Sequence, residues 1–138
     1  MNRADLQQLA ELRIREARSL LEAGCPAGAY YLAGYAIECA LKARIAARTQ
    51  QFDFPELDLA KRSYTHVLGD LIRVAELEKE FNLEKKSNRN FNKFWTVVKD
   101  WKESMRYDPT ITTRMAEDLY TAITDPRDGV LLWLKKWW

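Results

Sequence analysis

Residues 27–46 read AGAYYLAGYAIECALKARIA, and how this stretch is read decides the fold. Nothing in it breaks a helix, and its apolar residues fall at helical spacing. On a wheel, Tyr30, Ala33, Ile37, Ala40 and Leu41 cover one side, and Leu32, Ala36, Cys39 and Ala43 cover another. Tyr31, Glu38 and Lys42 form a narrow third strip with Tyr35 at its edge. Carried on to about Arg48, the helix would be roughly 33 Å long. A helix apolar on nearly every side must be buried on several sides. The expectation is burial partly by its own bundle and partly by a second copy of the chain. A two-fold homodimer burying at least about 1,000 Å² would do this, with Tyr31, Tyr35 and aromatic residues of a later helix as anchors.

The segments to either side give an all-α chain. Leu6, Leu9, Ala10, Ile14, Ala17, Leu20 and Leu21 share one face of a helix over 4–23, which Gly24 and Pro26 end. The link is so short that the first two helices must be antiparallel neighbours. Arg13 falls inside the apolar stripe, so it is expected to meet a buried acid, and Glu38 is the natural partner. Residues 49–64 read as a loop carrying Pro55. A third helix is expected over 66–81 with Thr65 as its cap, and a fourth over 89–106 carrying Phe91, Phe94, Trp95, Val98, Trp101 and Met105. The last spans 113–137 with a break at Asp125-Pro126, where Asp125 caps and Pro126 takes the first position of the restarted helix.

The 138 residues suit a single domain over 1–138. Composition is 47% hydrophobic and 30% charged with a net charge of +2, so any basic surface must be local. No apolar run reaches the ~18 residues of a membrane span, and the charged N-terminus does not read as a signal peptide. A cytoplasmic protein is expected. Cys25 and Cys39 have no His or Cys at ligand spacing, so no metal and no cofactor are expected.

The order of these features resembles the HEPN domain, a nucleotide-binding family of higher eukaryotes and prokaryotes. The pattern A-x-Y-x-A-G-Y-A-x-E-C-A-L-K-A from Ala29 to Ala43 carries the resemblance, with Thr65-His66 opening the third helix and Arg106-Tyr107 after the fourth. It implies an up-and-down four-helix bundle with an additional C-terminal helix, and members that commonly dimerise. The implied function is a nucleotide-, RNA- or partner-binding module, working with a minimal nucleotidyltransferase in a toxin–antitoxin or defence setting. Ribonucleases of the family carry Arg, a polar residue, and His four to six positions after the Arg. Arg89-Asn90 fits, but Phe94, Trp95 and Thr96 stand where the His should be. Standard ribonuclease activity is therefore not expected.

The alternative is a divergent metal-independent ribonuclease. It would use His66, the chain's one histidine, as base, with Arg62 or Arg106 on the phosphate. Lys85, Lys86, Arg89, Asn90 and Lys93 form a basic cluster suited to phosphate contacts. Arg13, Glu38 and Lys42 are expected to form a structural polar network, in which Glu38 and Lys42 have the favourable i, i+4 order.

Overall fold

The computed structural model describes residues 1–49 and 57–138. These residues form eight α-helices and one 3-10 turn, with no strand among them, so the chain is all-α. Helix α1 (Arg3–Glu22) begins on a capping box, in which the Asn2 side chain accepts from the Asp5 amide and the Asp5 carboxylate accepts from the Asn2 amide. Gly24, at φ +75°, ends it. The Gly24 amide donates to Leu21 O and the Cys25 amide to Leu20 O, the paired bonds of a Schellman turn. Pro26 then opens α2 (Pro26–Ala47), which returns along α1 as the sequence predicts.

Helix α2 is the centre of the molecule, with more than half of its 22 residues buried. Within one chain it meets α1, α4 (Leu68–Val74), α7 (Thr113–Thr124), α8 (Val130–Leu134) and the 3-10 turn Glu103–Tyr107. The rings expected to anchor a dimer are used internally. Tyr31 stacks on Tyr35 at 6.0 Å and on Trp101 at 6.1 Å, and Phe91, Trp95 and Trp101 are buried. Gly34 permits this arrangement, because a Cβ there would lie 2.2 Å from the Trp101 indole.

Several expectations are corrected. The third helix is not continuous over 66–81, and helix also forms inside 49–64. Leu57–Arg62 is a short helix, α3, while residues 50–56 of the expected loop and its Pro55 lie outside the described residues. Thr65 does not cap a helix: its hydroxyl accepts from the Val67 amide, and Val67 holds the cap position of α4. Helix α4 stops at a second Schellman turn, where the Glu76 amide donates to Arg73 O and the Leu77 amide to Ile72 O, before α5 (Glu78–Ser87). Glu76 takes φ +55°, a conformation usually left to glycine.

The fourth helix, α6 (Arg89–Val98), stops eight residues short of its expected end. Lys102 is extended, so the chain leaves the helix and turns Trp101 onto Gly34. The helix also does not restart at Pro126. The Asp125 carboxylate accepts from the Arg127 and Asp128 amides within a turn, and α8 begins only at Val130. Gly129 fits against the backbone of this turn, where a Cβ would lie 2.6 Å from Asp125 O.

Candidate functional site

Glu38 is the one charged residue buried among the described residues, at 2% exposure. Its Oε1 accepts from Lys42 Nζ at 2.8 Å, one turn along α2, and from His66 Nδ1 at 2.8 Å, in the link before α4. Oε2 has no hydrogen-bond partner among the described residues. Two groups on one oxygen offset the cost of burying the carboxylate, and a buried acid with neither would be strongly destabilising. An ionised carboxylate only accepts, so Nδ1 carries a hydrogen, and in the neutral imidazole Nε2 is then the acceptor. The His66 side chain is half exposed.

Arg13 is not the partner of Glu38. Its Nη1 pairs with Glu16 Oε1 at 2.5 Å, one turn along α1, and both groups keep part of their solvent. That pair carries little desolvation cost, whereas reaching Glu38 would take the guanidinium out of solvent. Arg13 still acts on the strip through its charge. Burial and the Glu38 carboxylate push the Cys39 thiol up to about 11, and Arg13 and Lys42 oppose this. Tyr35 is likewise raised, chiefly by burial, and Arg13 again opposes the shift.

The two arginines expected to serve His66 are engaged elsewhere. Arg62 Nε pairs with Asp58 at 2.9 Å within α3. Arg106 pairs with Glu103 at 3.1 Å and lies 4.6 Å from the Tyr107 ring centroid. A hydrogen bond to Tyr31 is the main reason that its guanidinium is held above the usual range. Neither makes an ion pair or hydrogen bond with His66 among the described residues, so the structure does not assemble a base and a phosphate-binding cation from these three. A cavity of about 340 Å³ beside this strip is lined by Leu6, Lys42, Ile45, Leu59 and Tyr64 among others, and its wall is mostly apolar.

The basic cluster is the second location. Helices α5 and α6 meet at Asn88, whose side chain caps α6 by accepting from the Phe91 amide at 3.1 Å. Asn82, Lys85, Lys86 and Asn92 line a solvent-open notch of about 380 Å³ between the two helices. Arg89 and Lys93 are exposed on α6. None of Lys85, Lys86, Arg89 and Lys93 is in an ion pair among the described residues. Two of the three acids of α5 have other partners: Glu84 accepts from Asn88 and Glu78 approaches Arg73 at 4.0 Å. Lys85 Nζ lies 4.6 Å over the Phe81 ring, which orients its stem.

Asn90, grouped with these cations from the sequence, faces another way. Its amide donates to Asp128 Oδ2 at 3.1 Å while Asn88 donates to Oδ1 at 2.8 Å. Those two bonds hold Asp128 below the usual carboxylate range and tie the turn before α8 to the start of α6. Asn92, which the sequence places beside the cluster, does line the notch, whereas sequence reasoning missed Asn82. A helix face through 82, 85, 86 and 89 would have grouped Asn82 with the lysines.

No group of three or more His, Cys, Asp or Glu side chains among the described residues is placed to hold a metal ion. No described helix is long and apolar enough to cross a membrane. Comparison with family models, with curated proteins and with solved structures finds no match.

Proposed function

We propose that this chain is a HEPN-type helical module that binds a phosphorylated ligand, nucleotide or RNA, at the notch between α5 and α6. The observation that carries the reading is the segregation of charge there. Lys85 and Lys86 line one open notch, Arg89 and Lys93 stand exposed beside it on α6 with no ion pair among the described residues, and Glu84 and Glu78 have other partners. Unopposed cations at a surface raise the local concentration of anions, and phosphate is the ligand such a face attracts most strongly. The HEPN resemblance of Ala29–Ala43 supports the same class, with the up-and-down bundle topology as part of the proposal.

A nucleotidyltransferase partner, a toxin–antitoxin or defence setting and a homodimer follow from that resemblance alone. The internal burial of α2 removes the packing argument for the dimer. Equilibrium binding of labelled RNA and nucleotides tests the reading. Lys85→Glu combined with Lys86→Glu should abolish binding while the helical spectrum is kept, and undiminished binding by that variant would refute it.

One observation favours a second reading, a divergent metal-independent ribonuclease. The buried Glu38 carboxylate holds Nδ1 of His66, which leaves Nε2 of the neutral imidazole as proton acceptor, the arrangement a general base needs. Incubating a mixed RNA pool with chelator, wild type beside His66→Ala, decides it. Cleavage lost in the variant supports the base, and an intact pool with wild type rejects it.

A further inference from the structure

We infer that the α5–α6 notch grips the sugar–phosphate backbone of a polynucleotide strand, across more than one phosphate and without regard to base, rather than a free nucleotide. The inference rests on the phosphate-binding reading above and names its ligand class.

Three features of the notch lead there. Its walls are lysine and asparagine side chains, with no aromatic ring on which a base could stack, because Phe81 is buried beneath Lys85. Free nucleotides are held mainly by enclosing the base in an apolar or aromatic slot, and this notch offers none. The α6 N-terminus, a common seat for a single phosphate, is already closed by Asn88, and Asn90 beside it is held by Asp128. The remaining donors are spread out rather than convergent on one point. Lys85 and Lys86 line the notch from α5, and Arg89 and Lys93 are exposed on α6 outside its lining, one turn or about 6 Å apart. That separation is comparable with the step from one phosphate to the next along a strand. Side-chain cations and amide groups in such a row position a backbone and carry no base information.

Binding of this kind depends on counterion release. Three to four phosphate contacts give a slope of log K against log salt of roughly −2 to −3 for a single strand. Affinity should fall roughly 20- to 50-fold between 50 and 200 mM salt. The test measures fluorescence anisotropy of labelled 20-nucleotide strands, uridine RNA and thymidine DNA, on the full chain. Both should bind within a few-fold of each other. Millimolar ATP or UTP should not displace them beyond its ionic-strength effect, and Lys86→Ala and Lys93→Ala should each lower the slope by about 0.7.

A flat salt dependence, or slopes unchanged in both variants, would overturn the inference. Strict preference for RNA over DNA would also overturn it, since that requires contact with the 2′-hydroxyl. Nucleotides bound through the same lysines as tightly as the strands would sink the inference and leave the broader reading standing. Failure of strands and nucleotides alike would sink both.

Discussion

The chain reverses twice by the same device, at 23–25 and at 75–77, and only one of the two is visible in the sequence. Both are Schellman turns with the same pair of backbone bonds and a residue at positive φ. In the first that residue is Gly24, followed two positions later by Pro26, so the turn is written into residues that prefer it. In the second it is Glu76, which pays a steric penalty that glycine avoids. Neighbours from α2 offset the penalty. Arg48 donates to Val74 O at 2.8 Å and pairs with Glu76 itself, while Arg44 donates to Ala75 O at 3.4 Å. These side chains satisfy carbonyls that the end of α4 would otherwise leave without partners. The first turn is local chemistry and the second is held by a helix about 30 residues away in sequence.

The contrast can be broken most severely at the residue that closes each turn. Leu77 is fully buried and Cys25 is exposed. Leu77→Ala should cost about 2 to 5 kcal/mol, and Cys25→Ala no more than about 0.5 kcal/mol, by chemical denaturation. Equal losses would mean that the first turn is anchored as deeply as the second.

Gly24→Ala comes next. A Cβ at Gly24 meets nothing within 4 Å, so its cost of about 1 to 2 kcal/mol would be backbone strain alone. Arg48→Ala should follow at about 1 kcal/mol, since it removes a hydrogen bond to Val74 O and the exposed pair with Glu76. Glu76→Gly should have the opposite sign to Gly24→Ala. Relief of strain exceeds the loss of a surface pair, for a net gain of about 0.5 kcal/mol in the denaturation midpoint analysis. A loss there of more than about 1 kcal/mol would show that the Arg48 pair, not the backbone, sustains the turn.

The smallest effect is one of pH, and it separates the two cysteines that flank the first half of α2. The Cys39 thiol is pushed up to about 11, while an unfolded cysteine titrates near about 8.5. A raised acid favours the folded state while it stays neutral. Its contribution is therefore complete below about 8.5 and is lost as pH rises through about 11. Nothing should change at pH 7. Above pH 9 stability should decline, and less steeply in Cys39→Ala than in wild type. Iodoacetamide at pH 8 should modify Cys25 in the folded protein and spare Cys39 until denaturant is added.

Legibility follows the range of the interaction that decides each element. The α1–α2 hairpin was readable because its cap, periodicity and breakers lie within 25 residues of one another. The long helices expected over 66–81 and 89–106 were not, since apolar spacing continues across both breaks. What interrupts them is Glu76 against α2 and Trp101 turned onto Gly34. The burial of Glu38 and its pairing with Lys42 were readable at helical spacing, but its partner from the link before α4 was not. The basic cluster was readable as charge, and the direction of Asn90 away from it was decided by Asp128.

The sequence by itself determined an all-α chain, a hairpin of its first two helices, and a second helix with too little polar surface to stand in water. Those properties depend on residues within a few turns of each other, where backbone geometry leaves little choice. Only the tertiary structure decided what covers that helix. The sequence required burial, but apolar surface does not specify its partner, because the hydrophobic effect has no direction. Five elements of the same chain supply the cover, and Trp101 fits because Gly34 leaves room for it. Glu38 follows the same logic: its sequence position required compensation for a buried charge, and the folding of the link before α4 supplied His66 in place of Arg13.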